Sequence, residues 1–326
     1  MAFCRAVRTR SPNRRTFLLG AFGALAATGG CAISEGSTDQ VEQRDLLIGA
    51  LPIVGAAPLY LAAREGLFEQ VGLHVRLQKV TSGAFAVPEL LAGRLDITFS
   101  NHPSLIQNFA ARGPARILAE GSRAAPDNFA VVAPRNSPLR EVRDLRGRRV
   151  AVNAFHNIAT LTINVQLQSS GIRADEVQYV QMDFAEMTGA LLAGAIDAAF
   201  LPEPFLSAAE IHHGVKRLLD PTSGAAAEIP IDGYGALASL VEQKPNTVRA
   251  FRTALAEAQQ RCRNPVTLTS VLERDLKIDR QIADVLSPSD YPISTDTTSL
   301  QRVATLMRMF GSLDREIDIG PMVVST

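Results

Sequence analysis

The chain has 326 residues, 46% hydrophobic and 20% charged, with 33 basic against 33 acidic side chains. That length accommodates two domains, each with a core of its own. A formal net charge of zero, with no basic stripe carrying interleaved aromatics, argues against a nucleic-acid partner.

Arg5, Arg8, Arg10, Arg14 and Arg15 make a positive start, and Phe17 to Gly30 is apolar or small and uncharged. That run is too short for a stable spanning helix and has the layout of a signal peptide. Asn13-Arg14-Arg15-Thr16-Phe17-Leu18-Leu19 resembles the twin-arginine export motif. Cys31 follows Thr28-Gly29-Gly30 and resembles the lipidated cysteine of a bacterial lipobox, with Thr28 standing where Leu is usual. Residues 1–31 are therefore expected to be a leader ending at a lipid anchor, and 32–44 a polar tether. The alternative is cleavage near Ala24-Leu25-Ala26, which leaves Cys31 a bystander. Cys4 leaves with the leader, so Cys262 alone remains in the fold. No disulfide, metal site or cofactor is expected, and Cys262 reads as a buried thiol on an amphipathic helix.

Beyond the tether, one order of elements occurs twice. Leu46 to Leu51 and Arg149 to Asn153 are short apolar runs; helical stretches follow at Pro58–Gln70 and Ala159–Ser170, stopping at Gly72 and Gly171. Strand-like runs come next, Val75–Val80 and Val177–Met182, then helices at Pro88–Ala92 and Glu186–Ala193. Each half closes on a near-copy: Leu90-Leu91-Ala92-Gly93-Arg94-Leu95-Asp96-Ile97-Thr98-Phe99 and Leu191-Leu192-Ala193-Gly194-Ala195-Ile196-Asp197-Ala198-Ala199-Phe200. Both copies read as a helix end, a glycine C-cap and a buried strand. Two β-α-β-α-β series predict two similar lobes with largely parallel sheets, and a cleft between lobes suits a small molecule.

Asn128 to Ala133 reads as a strand leaving the first lobe, and Gly233 to Ala238 as the return. The expected division is 45–132 plus 235–326 for lobe one and 133–234 for lobe two. Pro245 to Arg261 is a strong helix with Val248, Phe251, Leu255 and Ala258 on one face. Helices around 266–272, 280–286 and 299–310 complete a C-terminal part placed on lobe one.

Three segments carry a family resemblance: Pro58-Leu59-Tyr60-Leu61-Ala62-Ala63-Arg64-Glu65-Gly66-Leu67-Phe68, Leu145-Arg146-Gly147-Arg148-Arg149-Val150-Ala151-Val152, and Asp197-Ala198-Ala199-Phe200-Leu201-Pro202-Glu203-Pro204-Phe205. Their order and spacing resemble the solute-binding proteins of nitrate/sulfonate/taurine-type ABC importers, which share a fold with yeast-type thiamine-pyrimidine synthases. The resemblance spans Asp45 to Gly311. It implies an α/β fold of the type II periplasmic-binding-protein kind, two lobes joined by two crossovers. It also implies a small-molecule solute and an ABC permease as partners, and a protein that works as a monomer without being an enzyme.

In open α/β sheets ligands sit beyond the carboxyl ends of the strands, where helix N-termini present free N–H groups. That rule selects Gly55, Ala57, Ser82, Gly83, Ser100, Asn101 and His102 in lobe one. In lobe two it selects Asn153, Phe155, His156, Asn157 and Glu203, with Tyr234 at the return. Each has a plain structural alternative: tight turns for the glycines, helix caps for Ser100, Asn101, Asn153 and Asn157, a salt-bridged carboxylate for Glu203. None of these loops carries Lys or Arg. An anionic solute such as a sulfonate or nitrate would depend on helix N-termini, hydroxyls and amides. If Glu203, Asp183 or Asp232 points inward, a neutral or cationic, pyrimidine-like solute fits better, with Phe155 or Tyr234 stacking. A catalytic pair of His102 or His156 with Glu203, or an extracytoplasmic sensory module, are the competing readings. The chain lacks Gly-x-x-x-x-Gly-Lys-[Ser/Thr], Gly-x-Ser-x-Gly and His-Glu-x-x-His.

Overall fold

Buried apolar runs become strands, and the amphipathic segments between them become helices that cover the sheets. A computed structural model describes residues 40–324, all within one unit, Asp39–Thr326. The expected leader, Cys31 and most of the tether lie outside the described residues.

The chain first builds β1 (Asp45–Ala50), α1 (Ala57–Arg64), α2 (Leu67–Gln70), β2 (His74–Lys79), α3 (Gly83–Leu91), β3 (Ile97–Asn101), α4 (His102–Ala110) and β4 (Ala115–Arg123). Next come β5 (Phe129–Ala133), β6 (Arg149–Val152), α5 (Ile158–Ser169), β7 (Gln178–Gln181), α6 (Phe184–Leu192), β8 (Ala198–Pro202), α7 (Phe205–His213) and β9 (Lys216–Leu219). The last elements are β10 (Pro230–Leu237), α8 (Ala238–Gln243), α9 (Pro245–Cys262), α10 (Pro265–Arg274), α11 (Arg280–Ala283) and α12 (Thr297–Met309).

Two five-stranded sheets result, in the orders β2-β1-β3-β10-β4 and β7-β6-β8-β5-β9. In each, the first three strands are parallel and the fourth is antiparallel. The two orders are the same pattern, with the fourth strands exchanged between halves. Here the expected division needs correction. β5 belongs wholly to the second sheet, pairing with β8 and β9, and β10 wholly to the first, pairing with β3 and β4. Both crossovers therefore precede these strands, at 124–128 and 220–229, rather than following or splitting them. A fully buried apolar run looks alike in sequence whichever sheet it joins; only the pairing tells.

The repeated decapeptide does in both halves what its residues imply. Gly93 and Gly194 adopt left-handed backbone (φ 69° and 70°), and β3 and β8 begin at the same position of the repeat. Its aspartate has a further role. Asp96 accepts from the Leu47 N–H (2.8 Å) and Asp197 from the Arg149 N–H (2.9 Å), so each clasps the start of the neighbouring strand. The return N–H of each aspartate bonds the same residue's carbonyl, at 2.9 Å in both halves.

Some boundaries differ from expectation. The first predicted helix is two, because Gly66 turns left-handed (φ 68°) between α1 and α2. α3 starts five residues before Pro88, where the Ser82 hydroxyl accepts the Ala84 N–H and caps it. β4 and β9 were not foreseen. α9 buries the anticipated face against α1 and α2, with Phe251 stacked on Phe68 at 5.7 Å. Cys262 lies buried at the end of α9, and burial pushes its thiol up to about 12, so it stays protonated and unreactive. α12 does more than pack on the first sheet: it touches α4 and β10 there and α5 of the second layer.

Candidate functional site

The carboxyl ends of β1, β2 and β3 and of β6 and β8 turn toward one another, and the starts of β5 and β10 come in beside them. Between them lies a cavity of about 20 Å³, room for about one water. Larger hollows, of 280, 450 and 430 Å³, open elsewhere and are each lined from outside this junction. Both sheets build the small cavity.

Its walls are mostly apolar: Leu51, Ile53, Phe129, Ile158, Phe184 and Phe200. Phe129 stacks on Phe200 at 5.6 Å, and Phe184 meets Phe205 at 5.6 Å. The polar side chains on the wall are Asn101, Asn153 and Asp232.

Several predicted residues converge here. Gly83 also lines the cavity; a Cβ on it would stand 2.7 Å from the Ser100 Cα, so glycine lets α3 start directly on β3. Ser100 lies buried beneath it. Gly55 packs on Ser122 and Asp232, with 3.0 Å from its notional Cβ to Ser122 Oγ and 3.3 Å to Asp232 Oδ2. Ala57 is fully buried at the first position of α1. Asn157, Asn153 and Ser82 form one chain of bonds, and Asn101 caps α4 apart from it. Asn101 Oδ1 accepts from the Ser104 N–H and hydroxyl, both at 3.0 Å. Asn157 Oδ1 accepts from Ala159 N (3.0 Å) and Thr160 N (3.4 Å), while its Nδ2 donates to Asn153 Oδ1 at 2.8 Å. Asn153 Nδ2 donates at 3.5 Å to Ser82 Oγ, across the two layers.

Other predicted residues point elsewhere. Tyr234 is buried in the first-sheet core against Phe99 (5.3 Å) and Phe251 (5.6 Å), since α9 covers that face of β10. Phe155 and His156 face solvent; His156 turns left-handed (φ 54°) and offers only its carbonyl, which accepts from Gln107 Nε2 at 2.6 Å. Stacking of a solute by Phe155 or Tyr234 is therefore not what these rings are placed for. Glu203 is buried, but its oxygens are committed to Ser207 Oγ (2.7 Å), Ser207 N (3.1 Å) and Ser287 N (3.4 Å). It caps α7 rather than facing the cavity, and burial pushes its carboxyl up.

His102 is buried against Gly233, whose notional Cβ would lie 2.4 Å from the ring Cε1. The ring nitrogens make no hydrogen bond of good geometry, the Asp232 backbone being the polar group that bears on them, and burial pushes the imidazole down to about 3. An unsatisfied buried polar atom costs about 1–3 kcal/mol. His102→Leu is therefore expected to raise stability by about 1 kcal/mol near neutral pH. Its gain should grow toward pH 4, because the unfolded wild-type histidine takes up a proton below about 6.5 while the folded one does not. Denaturant titrations at pH 7 and pH 4.5 measure both; a less stable variant at both values would show the ring to be needed.

Asp232, at the start of β10, supplies the buried acid. Its Oδ2 accepts from Ser122 Oγ at 3.2 Å, and burial pushes the carboxyl from 3.8 up to about 7. Ser122 was missed because β4 was missed; β10 pairs Asp232 with it directly.

Residues 54–266 match the model of the NMT1/THI5 like family. A putative aliphatic sulfonates-binding protein of Bacillus subtilis is 23% identical over 308 residues, covering 91% of both chains. The alkanesulfonate-binding protein SsuA from Xanthomonas axonopodis, bound to MOPS, superposes with a TM-score of 0.77 at 18% identity, covering 88% of this chain and all of that one. The periplasmic nitrate-binding protein NrtA from Synechocystis gives 0.72 at 19% identity, over 86% of this chain and 85% of its own. The fold is that of these binding proteins, as the sequence resemblance implied.

Proposed function

The chain belongs to the NMT1/THI5 like family, and on that premise we propose that it is the extracytoplasmic solute-binding component of an ABC importer. A small organic solute is held between two lobes and passed to a membrane permease; the similarity to sulfonate- and nitrate-binding proteins supports the capture of a small solute. The lobes are the layers built on the two sheets, and the hinge is the pair of crossovers at 124–128 and 220–229. The leader exports the chain, Cys31 tethers it by lipid, and it acts as a monomer.

The observation that carries this reading is the junction itself, where N-termini of helices from both sheets close on one cavity. At 20 Å³ the cavity is shut, so a solute enters only when the layers part, and its preference for the shut form drives closure. Bonds cross the junction, among them Asn153 Nδ2 to Ser82 Oγ, Val54 N to Glu203 O at 3.3 Å, Ser287 N to Glu203 Oε1 at 3.4 Å and Gln107 Nε2 to His156 O. Each favours the shut form.

Native mass spectrometry of the purified protein should reveal a bound small molecule, unchanged on release. Supplied at a hundredfold excess over its Kd, that molecule should stabilise the fold by about 2.7 kcal/mol. Gln107→Ala removes a bond made only when shut, so affinity should fall about two- to tenfold, corresponding to about 0.5–1.5 kcal/mol. Chemical conversion of the solute by pure protein would instead make the chain an enzyme.

A further inference from the structure

Away from the junction, a hollow of about 450 Å³ lies between the end of α9, α10, α11 and residues 286–291. Small-molecule sites span about 300–1,000 Å³ and are mostly apolar. The floor of this one is buried, formed by Cys262, Leu268, Leu272, Ala283, Leu286 and Tyr291. Cys262 adds to the apolar wall, since its thiol stays protonated. The hydroxyls of Thr269 and Ser289 add polarity without charge. Of the charged side chains around it, Arg263 donates to the Tyr291 carbonyl at 2.9 Å, Asp284 accepts from Arg280 at 2.8 Å, and Asp290 is exposed. A charged guest would lose hydration for no dedicated partner, whereas an uncharged one gains from apolar burial.

Residues 287–291 wall this hollow and form a strap fastened to both layers. The Ser287 N–H donates to Glu203 Oε1 in the second layer at 3.4 Å. Asn128 Nδ2, in the first crossover, donates to Ser289 Oγ at 3.4 Å. The Arg123 N–H of β4 donates to the Asp290 carbonyl at 3.0 Å, and the Tyr291 hydroxyl to the Val54 carbonyl at 2.7 Å. Val54 follows Ile53 of the junction cavity, and its own N–H reaches Glu203 O across the junction.

We propose that this hollow is a second binding site, for a small uncharged molecule the size of a single aromatic ring, and that its guest favours the shut form. The closing motion is the one on which the solute-capture reading rests; the site itself does not depend on that reading. Parting the layers breaks the Ser287–Glu203 bond and loosens one end of the strap, so the hollow keeps its shape best when the layers are shut. A guest that binds this shape better shifts the population toward it. By reciprocity, a solute at the junction and a guest in the hollow tighten each other's binding by the same factor.

Matched probes test the site. Benzyl alcohol, benzoate and benzylamine are titrated into the wild-type protein by calorimetry at pH 7. Benzyl alcohol should bind at least tenfold tighter than either charged counterpart, and its protons should show nuclear Overhauser contacts to the Leu268 and Leu272 methyl groups. Thr269→Trp puts an indole into the hollow from a half-buried wall position and should weaken that binding tenfold or more. With benzyl alcohol at saturation, the Ser287 and Val54 amides of wild type should exchange with deuterium at least threefold more slowly. No binding of benzyl alcohol at millimolar concentration, a preference of less than tenfold, or contacts to Phe129 and Phe200 in place of Leu268 and Leu272 overturns the site. Binding in the hollow with unchanged exchange at both amides overturns its coupling to closure. The contacts and exchange rates are read on wild type, so a poorly folding Thr269→Trp does not remove the test. Solute capture is judged separately, by the native mass spectrum, so either reading can fail without the other.

Discussion

Asp232→Asn is expected to stabilise the protein increasingly as pH rises from about 4 to about 7. The folded carboxyl titrates near 7 against 3.8 ordinarily, because burial disfavours its charge. Below about pH 4 the acid is protonated in both folded and unfolded chains and contributes no difference. Between the two values the unfolded chain has released its proton and the folded one has not. Each pH unit in that window costs the fold about 1.4 kcal/mol, up to about 4 kcal/mol in all, and the loss levels off above about 7. Asparagine keeps the shape and the Ser122 contact without the charge. His102 works in the opposite sense at the acid end, since its folded value is depressed, so the wild-type curve alone shows little slope from about 4 to 6.5. The measurement is therefore the difference in Tm between variant and wild type at pH 4.5 and pH 8. A change of roughly 5 °C or more between those points is expected; a difference that ignores pH would mean Asp232 is charged in the folded state throughout.

Gly83→Ala is expected to cost about 2–3 kcal/mol and to weaken solute binding. The added methyl would sit 2.7 Å from Ser100 Cα and Oγ and 3.0 Å from Asn101 N. Two of these atoms are backbone of β3, a strand buried over its whole length, so α3 must move instead. Ser82 precedes the glycine and receives the Asn153 amide, so the same movement pulls apart a bond that joins the two layers. Gly189→Ala is the contrast. It lies within α6 with nothing within 4 Å of its notional Cβ, and alanine there should stabilise by about 0.5–1 kcal/mol. Thermal unfolding of the two variants beside wild type should give shifts of opposite sign. Equal shifts would show that the close approach at Gly83 is not what sets its cost.

Much of the fold is legible in the sequence. Periodicity and glycine caps locate the β-α-β-α-β elements of both halves, though not β4 or β9, and the decapeptide reveals the duplication. Asn101 and Asn157 are read as cap or ligand at helix starts, and both cap; Ser82 also caps, on a helix that the sequence places five residues later. Tyr234 and Phe155 misled for a simple reason. Polarity and position mark a residue as near the strand ends, but which face it takes depends on what packs there. α9 claims Tyr234 for the core, and a turn exposes Phe155. Ser122 gave no signal, because β4 reads as an irregular mixture of apolar, small and charged residues.

By itself the sequence determined two β-α-β-α-β halves, the address-like N-terminus, and a site near the strand ends poor in cations. These are local properties, fixed by the period of apolar residues, by backbone preferences and by composition. Only the tertiary structure decided which sheet takes β5 and β10, and that Asp232 reaches the cavity wall while the Glu203 carboxyl is spent on Ser207 and Ser287. Strand exchange and side-chain facing arise from contacts between residues more than a hundred positions apart, such as Ser122 with Asp232, and no local pattern encodes them.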